Sequence, residues 1–186
     1  MRKRIRSWSW YFSSLACFVL AFLLAPVHEH ARAEGGEYRV KAAFLYNFLK
    51  FTEWPPAAFP PDSTSLTLCF LGENPFGENL DDLKSKSVGG KRLAVRYLLS
   101  APNAKGCHLL FIAASEKGNL AQTLEALRGL PLLTIGDSEG FAQKGVMINM
   151  YIEEERVRFE VNLKTVKKAG LRLDSRLLKL ARIVQE

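Results

Sequence analysis

The chain has 186 residues with 26 basic and 19 acidic side chains, a formal net charge of +7. Arg2, Lys3, Arg4, Arg6 and Arg32 stand in the first 33 positions against Glu29 alone, so the other 153 residues carry 21 basic and 18 acidic groups, net +3. Charge so small and so mixed along the chain excludes nucleic-acid binding, which needs a clustered cationic face. A chain of that length fits one domain with a real core, and it shows no internal repeat or low-complexity stretch.

The first element is an export signal. The basic head leads into an apolar run from Leu15 to Val27, followed by Ala31-Arg32-Ala33, the small-x-small pattern of a cleavage site. The run has about 13 residues, short of the roughly 20 that cross a bilayer as a helix. Cys17 lies inside the run and not at its end, which argues against a lipoprotein. Cleavage is expected after Ala33, leaving residues 34–186 as the mature domain in the periplasm. Cys69 and Cys107 then remain. In an oxidising compartment two cysteines form one bridge or stay as two buried thiols in neighbouring strands.

Glu37 to Phe51 reads as a helix, because Val40, Phe44, Phe48 and Phe51 recur at helical spacing and Leu45 and Leu49 widen the arc. The arc is broader than one sheet face requires. Its surplus faces either a second subunit or partner, or a loop of the same domain. As a partner-binding surface the candidates are Phe48, Leu49 and Trp54; the alternative is that all three fill the core. Trp54-Pro55-Pro56 ends the helix, and Pro60-Pro61-Asp62 continues the break.

A strand–helix rhythm follows. Leu66–Leu71 is a strand, Phe76–Leu83 a short helix after the Gly72 turn, Arg92–Leu98 and His108–Ile112 two further strands. Leu120, Leu124 and Leu127 mark a helix stopped by Gly129. Leu132–Ile135 is the next strand, and Met147–Ile152 and Val157–Val161 form a hairpin through Glu153-Glu154-Glu155-Arg156. Lys164, Lys167 and Lys168 lie on a solvated helix face. Ser175 is expected to cap a last helix with the stripe Leu177, Leu180, Ala181, Val184. The fold class is α/β: a single domain with a largely parallel sheet of about six strands, helices on both faces and a C-terminal antiparallel hairpin.

Catalytic motifs are incomplete. Gly136-Asp137-Ser138-Glu139-Gly140 matches G-x-S-x-G after a strand, but an α/β-hydrolase needs a histidine after the serine. The mature chain has one histidine, His108, which precedes Ser138 in an apolar string. A turn in which Asp137 or Ser138 caps the next short helix explains the motif instead. Gly72 to Gly77 spans a phosphate-loop interval without the Lys-Ser/Thr that would hold phosphate and magnesium. Asp137 lacks companion acids for a phosphoacceptor, with Glu73 the only nearby candidate. His28 and His30 leave with the export signal, so no metal set assembles. The chain reads as a binding protein without cofactor, metal or catalytic residues.

The segment Glu37-Tyr38-Arg39-Val40-Lys41-Ala42-Ala43-Phe44-Leu45-Tyr46-Asn47-Phe48, with Trp54-Pro55 after it, resembles the opening of the YfiR family. The order of the rest agrees: Cys69 with Leu71-Gly72, Cys107 to Ile112, Leu133 to Ser138, Gly140-Phe141, Gly145 to Asn149, Arg158 to Asn162 and Leu177 to Ala181. Gly136 stands where the family often has serine, and Val146 where it often has glycine. The resemblance implies a periplasmic, non-enzymatic α/β protein, often a homodimer, with Cys69 and Cys107 paired. It further implies repression of a membrane diguanylate cyclase, and so of cyclic-di-GMP signalling, through the cyclase's periplasmic sensor domain. The alternative expectation is a periplasmic small-ligand-binding protein with no cyclase partner.

Overall fold

A computed structural model describes residues 28–60 and 63–184. The head and apolar run of the expected export signal, residues 1–27, lie outside them. The chain divides into two units, Met1–Glu34 and Gly35–Glu186. Of the first, only the backbone of residues 28–34 is described, as the opening turns of a helix. No described helix is long and apolar enough to cross a membrane. The second unit is the α/β domain.

Helix α1 spans His28–Lys50. Strands β2 (Ser65–Leu71), β4 (Lys91–Leu98), β5 (Leu109–Ile112), β6 (Leu133–Gly136), β7 (Ile148–Glu153) and β8 (Arg156–Val161) are the six that the apolar runs predict. Two-residue strands β3 (Ser87–Val88) and β10 (Arg182–Ile183) extend the sheet to eight, in the order β10-β8-β7-β6-β5-β2-β4-β3. Pairing is parallel except for β3 with β4 and β7 with β8. A separate antiparallel pair joins β1 (Thr52–Glu53) to β9 (Arg172–Leu173).

Central strands are buried on both faces because their side chains alternate between two apolar layers. Leu68 and Phe70 of β2 and Leu109 and Phe111 of β5 join Leu45, Phe48 and Leu49 of α1 in one layer. Cys69, Leu71, Leu110 and Ile112 point the other way, against Leu120 and Leu127 at helix α3 (Leu120–Ala126) and Phe141. A Cβ on Gly136 would collide with the ring of Phe141, which is fully buried. The glycine is where this face needs room for a ring.

The hairpin forms as expected. Glu153 pairs with Arg156, and Glu154 and Glu155 both take positive φ, the type I′ geometry that matches strand twist. Three expectations fail in detail. Asp174, not Ser175, caps the last helix, α5 (Ser175–Leu178), by accepting the Arg176 N–H at 2.8 Å. That helix stops after one turn, because the chain leaves it to lay Arg182–Ile183 beside β8, so Leu180 is 71% exposed and not part of a buried stripe. Asp137 and Ser138 cap no helix either: residues 138–145 form successive turns, including Phe141 N–H to the Ser138 carbonyl at 3.2 Å. Helix α2 (Asp81–Lys84) follows a 3-10 turn at Gly77–Leu80, and helix α4 (Leu163–Lys168) carries the three lysines.

Candidate functional site

The carboxyl ends of parallel strands are where α/β sheets gather ligands and switches. Here Asp137, the first residue beyond β6, meets α1. Lys41 sits on the buried side of the helix, one turn before Leu45 and two before Phe48. Its Nζ lies 2.7 Å from Asp137 Oδ2 and 2.6 Å from Glu37 Oε1. The Tyr38 hydroxyl donates to the same Asp137 oxygen at 2.9 Å, and the Lys41 ammonium lies 4.4 Å from the Tyr38 ring centre. The Lys41 and Asp137 side chains are each only 4% exposed. Sequence reading missed this pair, although one signal was present. A lysine at the i−4 and i−7 positions of Leu45 and Phe48 falls inside the apolar arc, where a charge needs a partner.

A cleft of about 470 Å³ opens beside it, lined by Asp137, Glu139, Asn149, Tyr151, Glu160 and Arg182 among others. Glu160, with its side chain 4% exposed, accepts from Arg182 Nη2 at 2.7 Å and Asn149 Nδ2 at 3.1 Å. The carboxylates that could act as acid or base, Asp137 and Glu160, are thus already engaged by neighbouring donors.

The serine motif is dismantled by the topology. Ser138 lies beyond the carboxyl end of β6, whereas His108 precedes β5, whose Leu109 pairs with Leu133 at the other end of β6. At about 3.3 Å per residue the two levels are at least roughly 13 Å apart, far outside proton-transfer reach. Among the described residues no group of three His, Cys, Asp or Glu side chains is placed to hold a metal ion.

At that opposite end His108 is a structural residue. Its Nδ1 accepts the Thr67 N–H at 3.0 Å, its ring stacks on Phe59 at 4.7 Å, and its carbonyl accepts the Trp54 indole N–H at 3.0 Å. Burial is the main cause that holds its pKa below the usual 6.5; the Ala58 carbonyl opposes this and the Lys91 charge adds to it. A protonated ring would also lose the Thr67 bond, since Nδ1 would then be a donor. The unfolded chain therefore binds a proton that the folded one refuses, so stability is full above about pH 6.5 and falls as the pH drops towards the folded value. His108→Asn is expected to flatten that part of the curve. Urea midpoints measured from pH 7.5 to 5 check this, and wild-type and variant curves that stay parallel would refute it.

Cys69 and Cys107 are joined, with Cα atoms 5.9 Å apart. Phe48 and Leu49 are 0% and 1% exposed, in the layer between α1 and the sheet. They occupy the core place that the sequence left as an alternative. Trp54 is partly buried against the same layer. What the broad arc leaves at the surface is Val40, 45% exposed.

A family model described as YfiR/HmsC-like matches residues 38–182. The chain belongs to the YfiR/HmsC-like family. That family is regulatory and non-enzymatic. The YfiR/HmsC-like match begins at Tyr38 and ends at Arg182, so it spans both the Lys41–Asp137 pair and the Glu160–Arg182 pair. Among solved structures, a conserved domain protein from Vibrio cholerae O1 biovar El Tor superposes with a TM-score of 0.50 at 8% identity, over 80% of this chain and 60% of that one. That likeness concerns the fold alone. An ABC domain in complex with L-Trp from Streptococcus pneumoniae gives a TM-score of 0.48 at 10% identity, over 68% and 58%. This chain therefore spans less than two thirds of the length of either.

Proposed function

We propose that the protein is exported, loses residues 1–33, and represses a membrane diguanylate cyclase by binding the cyclase's periplasmic domain. The observation that carries this reading is the YfiR/HmsC-like match across nearly the whole α/β unit. The basic-apolar-small pattern of the first 33 residues supports export, and the separation of Ser138 from His108 supports a role in binding. Docking draws on the surface end of the α1 arc, at Val40, and on Trp54. Phe48 and Leu49 support it from beneath by fixing the helix on the sheet.

Deleting the gene in a strain that carries a linked cyclase should raise cellular cyclic-di-GMP several-fold. The full chain should restore it, and a form lacking residues 1–33 should not. Val40→Asp should weaken repression with an unchanged thermal transition, because the side chain is nearly half exposed. Unchanged cyclic-di-GMP on deletion would sink the repressor reading and favour small-ligand binding without a cyclase. Full restoration by the leaderless form would sink export.

A further inference from the structure

A second cavity lies at the amino-terminal end of β6 and β7, at the opposite end of β6 from the Lys41–Asp137 pair. It measures about 240 Å³ and is walled by Leu124, Leu127, Leu132 and Met147. Two threonines also line it, and both are satisfied within the protein: Thr134 Oγ1 accepts the Met147 N–H at 3.1 Å, and Thr165 Oγ1 donates to the Asn162 carbonyl at 2.9 Å. The interior therefore asks for apolar atoms. No aromatic ring lines it, so stacking gives no preference for a planar ligand.

Its remaining polar lining is of one sign: Arg128, Lys144 and Lys168. Arg128 is paired with Glu125, but Lys144 and Lys168 have no carboxylate within ion-pair distance among the described residues. They come from separate parts of the chain, the turn after Phe141 and the end of α4, and converge on one cavity. Two unpaired lysines and no lining acid around an aliphatic chamber select a ligand with one anionic head and a hydrocarbon tail. Size narrows the class. An apolar cavity of about 150 Å³ accommodates benzene, so in proportion about 240 Å³ accommodates roughly ten heavy atoms.

We propose that this cavity is a binding site for a small aliphatic monocarboxylate of about eight carbons, its tail among the leucines and Met147 and its carboxylate between Lys144 and Lys168. The site goes beyond the repressor reading and stands without it.

Calorimetric titration of the purified protein with octanoate, 1-octanol and octylamine tests it. Octanoate should bind saturably, one per chain, and about tenfold more tightly than 1-octanol, as two ion pairs to exposed lysines allow. Octylamine should bind most weakly. Lys144→Gln with Lys168→Gln should bring octanoate down to the level of 1-octanol and leave 1-octanol unchanged. Ala169→Phe, at a half-buried lining position after α4, should abolish both with the thermal transition preserved. Equal binding of octanoate and 1-octanol to the wild type, no saturable binding of either, or normal octanoate binding to Ala169→Phe would each overturn the proposal.

Discussion

Lys41→Met is expected to destabilise the domain by about 3–5 kcal/mol, the usual cost of removing one partner from a buried ion pair. Lys41 and Asp137 are both withdrawn from water, and without the ammonium the Asp137 carboxylate keeps, among the described residues, only the Tyr38 hydroxyl as a side-chain donor. Asp137→Leu should cost a comparable amount, since Lys41 would then retain Glu37, whose side chain is 30% exposed and a weaker shield. The two losses should not add. With both charges replaced, nothing buried is left uncompensated, and the double variant should be more stable than either single one. Urea denaturation of the four proteins, compared at constant m-value, measures this. A double variant whose loss equals the sum of the single losses would show that the two side chains are not coupled.

Removal of the disulfide is expected to have an effect of similar size by a different route. The bridge closes a loop with a sequence separation of 38 residues, for which chain entropy gives about 4 kcal/mol. Cys69→Ala together with Cys107→Ala avoids a stray thiol and keeps the layer apolar, since both cysteines are buried against Leu71 and Leu110. The double variant should lose about that much stability, and wild type in excess reductant should fall to the same level. Equal urea midpoints for oxidised wild type, reduced wild type and the variant would refute the assignment of stability to this bridge.

The parts of the fold that could be read in the sequence are those encoded by local periodicity. β2 and β5 announce themselves as apolar runs, interrupted only at Thr67, because both of their faces are covered, and the hairpin because two alternating runs flank four polar residues. The missed parts are set by distant contacts. β3 and β10 have two residues each, too few for any period, and exist only because β4 and β8 offer backbone partners. The stripe at Leu177, Leu180, Ala181 and Val184 fits a helix, yet pairing beside β8 takes over after one turn. The Lys41–Asp137 contact spans 96 positions, so spacing could show that a buried lysine needed an acid but not which one. For the same reason the arc of α1 could not be divided from sequence into core and surface. The sheet does that, taking Leu45, Phe48 and Leu49 and leaving Val40.

The two short strands that escaped prediction also govern how this protein behaves when crowded. An eight-stranded sheet has two borders, and a long border strand offers a row of free amide and carbonyl groups on which another chain can grow. Here the borders are Ser87–Val88 and Arg182–Ile183, each two residues long, with Arg182 drawn back onto Glu160 and over the Tyr151 ring at 4.4 Å. Neither gives a template long enough for the six- or seven-residue register that amyloid-type stacking requires. The longer β4 and β8 are each covered at two residues by one of these stubs, which shortens the border left open to another chain.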